Sequence, residues 1–157
     1  ARSSWAPSSR GAPAAGCVEN TLASFTRAMA DGANAIETDA HRTADGVVVL
    51  CHDPDLRQVH GTDLQIARAT RAELAGYGVP TLSELLAHSP ECAINIDVKQ
   101  QDPPMEQAIV DTLRRAGAER RVLLTSFFAD VVERIRAAGD DPSWVDSCLP
   151  LLEGTGT

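Results

Sequence analysis

No stretch of the 157 residues approaches the ~20 consecutive apolar positions that a membrane-spanning helix requires. Ala1 to Ser9 contains no apolar core of a secretory signal, so a cytoplasmic setting is expected. Cysteine is sparse and scattered. Cys17, Cys51, Cys92 and Cys148 show no CxxC spacing, which argues against a zinc ribbon or a dense disulfide framework. Reduced, buried thiols are the expectation. A basic surface is also missing, since 14 basic residues stand against 22 acidic ones, a formal charge of −8. Such a chain repels a polyanion on average, so nucleic acid is not an expected partner. A small phosphate ligand is still allowed, because one local basic pair suffices to hold it. There is no internal repeat and no charge block.

What is present is a globular composition, 43% hydrophobic, in a length that normally makes one domain. Short apolar strands alternate with amphipathic helices. A helix is predicted from near Asn20 to Ala30, with Leu22, Phe25 and Met29 on one stripe and Gly32 as its stop. A strand follows over Ala33 to Asp39, then a turn at Ala44-Asp45-Gly46. Val47 to Cys51 is a continuous apolar run, as expected of a strand buried on both faces.

The connection 53–80 is polar and irregular. Thr70-Arg71-Ala72-Glu73 and Thr81-Leu82-Ser83-Glu84 are two capping-box patterns, the second opening a helix to about His88. Cys92 to Lys99 reads as a strand, and Asp102-Pro103 as an N-cap with a first-turn proline ahead of a helix carrying Met105, Ile109 and Leu113. Val122 to Ser126 is a further strand, followed by a helix ending near Gly139. The tail 140–157 is poorly defined, with one candidate strand around Trp144 to Cys148. This alternation implies an α/β fold with a mostly parallel sheet.

Side chains two apart on a strand share a face. Glu37 and Asp39 therefore point the same way, as do Asn95, Asp97 and Lys99, while His52 shares a face with Val48 and Leu50. Each polar set lies at the C-terminal end of its strand, where parallel α/β folds build ligand sites. Three carboxylates there suit Ca²⁺ or Mg²⁺, a lysine suits a phosphate oxygen, and a histidine suits proton transfer near neutral pH. Taken singly, each set has a plainer reading: a solvated acidic edge, a capped histidine turn at His52-Asp53-Pro54, or a structural Asp97–Lys99 ion pair. His41, His60 and His88 fall outside the pattern and are expected on the surface or in loops.

In order along the chain, Arg10-Gly11, Glu19-Asn20-Thr21, Ile36-Glu37-Thr38-Asp39, Asp45-Gly46, His52-Asp53-Pro54 and Ile96-Asp97-Val98-Lys99 resemble the motifs of the glycerophosphodiester phosphodiesterase family. The resemblance runs from about residue 10 to 139. Relatives acting on phosphoinositides or sphingolipids match these motifs less closely. The resemblance implies a (β/α)8 TIM barrel with its site at the C-terminal mouth. It also implies hydrolysis of glycerophosphodiesters, small-molecule substrates, to glycerol 3-phosphate and an alcohol with a divalent cation. Carried over by position, Glu37, Asp39 and Asp97 would hold the metal, Arg10 and Lys99 the phosphate, and His52 would be one of two proton-transferring histidines. Glu19 would support its loop.

Three departures modify this expectation. The family's HRG histidine falls at Ser9, and a hydroxyl does not replace imidazole in proton transfer near pH 7. Loss of one general acid or base costs about 10²–10⁴-fold in rate. Aspartate stands at Asp97 where the family usually has glutamate, which shortens that ligand by one methylene. A full barrel takes about 250 residues, so this chain reads as a shortened member with about five or six strands, open at its edges and prone to self-association. Two functions remain: a weakened metal-dependent phosphodiesterase, or a non-catalytic phosphate-binding or interaction module.

Overall fold

The computed structural model describes residues 9–10, as backbone, and 18–139. Four strands run parallel in the order β1 (Ser9–Arg10), β2 (Ala35–Arg42), β4 (Ala93–Val98) and β5 (Val122–Thr125). β3 (Val48–Leu50) joins the sheet off this path, antiparallel to the end of β2. The longer helices lie between parallel strands in sequence: α1 (Leu22–Ala30) between β1 and β2, α4 (Leu82–His88) ahead of β4, and α5 (Glu106–Ala116) between β4 and β5. α6 (Ala129–Ala138) follows β5, and α2 (Arg57–His60) and α3 (Arg71–Ala75) lie in the connection between β3 and α4.

The antiparallel β3 is the exception in a sheet expected to be mostly parallel. Only residues 43–47 separate it from β2, and a parallel return needs a crossover of about a dozen residues or more. Gly46 takes φ +84° in the turn, and the Thr43 hydroxyl donates to Asp45 and accepts from the Val47 N–H at 2.9 Å. The run is nevertheless buried on both faces. Val48 and Leu50 enter the main core, whereas Val49 enters a second one.

The main core fills the space between sheet and helices, with Phe25, Ile36, Ile94, Ile96, Leu85 and Ile109 almost fully enclosed. The second core gathers Val49, Leu56, Ile66, Leu74 and Val79. The connection that reads as irregular therefore folds around apolar residues of its own. The Thr70–Glu73 capping box forms in full at α3. At α4 only half of the second box forms: Thr81 accepts from the Glu84 N–H, but the Glu84 carboxylate turns to Arg71. α1 is capped by Thr21 with Ser24 rather than by Asn20. Asp102-Pro103 does not open α5. That helix starts at Glu106 after Met105, which provides no side-chain cap.

Cys51 and Cys92 are free and buried, while Cys17, Cys148 and the candidate strand near Trp144 lie outside the described residues. Among the described residues no helix is long and apolar enough to cross a membrane.

Candidate active site

The parallel register sets the site. Asp39 of β2 stands opposite Asp97 of β4, which stands opposite Thr125 of β5. One step back, Glu37 lies level with Asn95 on one side and with Arg10 of β1 on the other. The strand-end carboxylates are thus brought to neighbouring positions by backbone pairing. Lys99, just past β4, sends its ammonium between two of them, donating to Asp97 Oδ2 at 2.8 Å and reaching Asp39 Oδ1 at 3.5 Å. The Phe127 ring, exposed after β5, lies 5.1 Å from that ammonium, within cation–π range.

Asp97 is only 8% exposed, and its Oδ1 is buried without a hydrogen-bond partner. Burial raises its pKa, the negative charges of Asp39 and Glu37 add to that, and the Lys99 ammonium works against it. Burial also opposes the charge on Lys99, but its hydrogen bonds and attraction to Asp97 and Asp39 outweigh this and raise its pKa. Asp39 Oδ2 accepts from the Asn20 amide at 3.3 Å, and Asn20 Oδ1 accepts from the Thr38 hydroxyl at 2.9 Å. Asn20 is buried with φ +54°, a left-handed conformation that asparagine tolerates better than most residues.

His52 lies beyond β3, about half exposed, with Nδ1 bonded to Asp53 Oδ1 at 2.8 Å. With the proton on Nδ1 facing that carboxylate, the lone pair of Nε2 is directed elsewhere. His52 and Asp53 line a groove of about 110 Å³ with Glu19, Leu56, Val59 and Tyr77 among its walls. Cys51 also borders it, but burial pushes its thiol pKa up to about 11, so it is no nucleophile near neutrality.

His41 departs from the expected surface or loop position. It shares the Glu37–Asp39 face, is 3% exposed, and its Nε2 lies 3.3 Å from the main-chain carbonyl of His52. Burial lowers its pKa. His60 and His88 are exposed as expected, the first beside the Tyr77 ring and the second on the Thr26 hydroxyl. Sequence reasoning assigned no role to Asn20 or His41, although His41 continues the two-residue alternation from Glu37 and Asp39.

The donor set fits a hard divalent cation in kind: carboxylate oxygens on one face, one of them buried and unpartnered. In the arrangement described, the Lys99 ammonium lies between Asp39 and Asp97. Among the described residues no three His, Cys, Asp or Glu side chains are gathered closely enough to hold an ion.

Comparison with known proteins decides the family. The model of the Glycerophosphoryl diester phosphodiesterase family matches residues 10–145. The chain belongs to this family. Among relatives, "Probable glycerophosphodiester phosphodiesterase 2" of Mycobacterium tuberculosis is 35% identical over 114 residues, 69% of this chain and 42% of its own length. A lysophospholipase D of Rattus norvegicus is 26% identical over 79% of this chain and 46% of its own. A solved Oleispira antarctica phosphodiesterase, in complex with the product sn-glycerol-3-phosphate, superposes with a TM-score of 0.67 at 26% identity, covering 76% of this chain and 56% of that one. The family's solved members share the (β/α)8 barrel, of which the described residues form an open part. It spans about half the length of the relatives it matches.

Proposed function

We propose that this chain hydrolyses glycerophosphodiesters to glycerol 3-phosphate and an alcohol, with a divalent cation, Ca²⁺ or Mg²⁺, and at a rate lowered by Ser9. The observation that carries this reading is the pairing of Asp39 with Asp97 across β2 and β4, with Lys99 between them. Glu37, Asp39 and Asp97 would hold the cation, which when bound offsets charge developing on the phosphate oxygens. Lys99 would exchange its carboxylate partners for a phosphate oxygen as that anion arrives, steadied by Phe127. Arg10, level with Glu37 on β1, would supply a second cationic contact. His52 would move a proton at Nε2 while Asp53 fixes its ring. The second proton-transfer position is the one at Ser9.

A second reading rests on Ser9 and on the ion pairing of Lys99: a phosphate-binding module without turnover. Hydrolysis of glycerophosphocholine with Ca²⁺ or Mg²⁺, against an EDTA control, separates the two. The β5 edge, unpaired among the described residues, supports self-association of this length of chain, and a cytoplasmic setting is part of the same proposal.

A further inference from the structure

We propose that His41 is a positioning residue that fixes the backbone carrying His52. The proposal rests on the reading of His52 as a proton-transfer group. β2 and β3 form a hairpin, and the chain leaving β3 is tied back to β2 at two points. The Cys51 N–H donates to the Asp39 carbonyl at 3.0 Å, and His41 Nε2 lies 3.3 Å from the His52 carbonyl. The first tie is ordinary strand pairing. The second comes from a side chain, at the residue where the ladder with β2 has ended.

A carbonyl oxygen only accepts, so the contact requires a proton on Nε2. His41 is therefore committed to one tautomer, and its burial keeps water from competing for that carbonyl. The His52 side chain itself is half exposed and, among the described residues, is bonded to its neighbour Asp53, which is part of the same loop. Of the two residues, His41 alone stands on the rigid strand that also carries Glu37 and Asp39. It thus sets the distance between His52 and the carboxylate cluster, and a misplacement of about 1 Å in such a group costs about 10²-fold in rate.

The test compares His41→Gln, whose amide nitrogen reaches the Nε2 position, with His41→Leu, which keeps the bulk but has no donor. Turnover of glycerophosphocholine is measured in both, in the chain and in its Ser9→His form, with folding checked by circular dichroism. The expected result is a fall in kcat of roughly 10- to 100-fold in the leucine variant, with KM within about threefold and most of the loss recovered in the glutamine variant. Imidazole ¹⁵N–¹H correlation spectra should show His41 protonated at Nε2. A His41 proton on Nδ1, or equal losses in both variants, would overturn the proposal. If no form turns over, the hydrolase reading fails separately, and the ¹³C signal of the His52 carbonyl decides the positioning claim. A shift in His41→Leu that His41→Gln restores supports it, and an unmoved signal overturns it.

Discussion

Asp39 and Asp97 stand directly opposite each other on adjacent parallel strands, with a single ammonium, that of Lys99, bonded to both. Two carboxylates so placed repel, and the more buried of them carries an oxygen without a partner. Burial and the negative charges of Glu37 and Asp39 disfavour the charge on Asp97, and the Lys99 ammonium offsets part of that.

The first prediction follows from the sign of the Asp97 shift. Its pKa is raised in the folded protein, so folding favours the protonated form. That stability is present below the unfolded carboxylate value and is lost as pH rises through the folded one. Asp97→Asn removes that buried charge at the expense of its pairing with Lys99, and should raise Tm at pH 7 without metal. The gain should vanish as pH falls through the carboxylate range. Ca²⁺ or Mg²⁺ should stabilise the parent chain and leave Asp97→Asn unmoved. Scanning calorimetry across pH, with and without metal, checks all three.

A second prediction concerns Asn20, whose amide bonds Asp39 and Thr38 from a backbone at φ +54°. Asn20→Ala removes both hydrogen bonds and adds about 1–2 kcal/mol of left-handed strain. Asn20→Gly removes the same bonds without that strain. Urea unfolding should rank the parent above the glycine variant and the glycine variant above alanine. Equal stability of the two variants would contradict the backbone argument.

Phe127 offers a narrower test. Phe127→Leu keeps apolar bulk beside Lys99 but removes the ring's negative face. Cation–π contacts at exposed sites are worth about 0.5–1 kcal/mol. The affinity for glycerol 3-phosphate, measured by calorimetry, should fall about two- to fivefold, with Tm lower by no more than about 4 °C.

The sheet's β5 edge has no neighbour among the described residues. Parallel edges of this kind pair with other chains. Size-exclusion chromatography with light scattering should show concentration-dependent association of the 157-residue chain, and a compact monomer at all concentrations would contradict this.

Much of this geometry was legible before any coordinates. The two-residue alternation put Glu37 with Asp39 and Asp97 with Lys99, and the parallel α/β class followed from the order of apolar runs and amphipathic stripes. Register was not legible. Nothing in either strand says that Asp39 and not Glu37 faces Asp97, because that depends on how α4 returns the chain to the sheet. The antiparallel β3 was legible in principle, since residues 43–47 cannot make a parallel crossover, but the apolar run masked it. Leu56, Ile66, Leu74 and Val79 carry no helical or strand period, so their shared core emerges only in three dimensions. His41 has no partner in the strand-end pattern and so reads as a surface or loop residue, although its parity with Asp39 points inward.

The most direct test of the account is the hydrolysis of glycerophosphocholine by the chain and by Ser9→His, each with Ca²⁺ or Mg²⁺ and with EDTA. The account predicts EDTA-sensitive turnover that rises by roughly 10²–10⁴-fold when the imidazole is restored. Folded protein with no turnover in either form would contradict it and leave phosphate binding as the function of this chain.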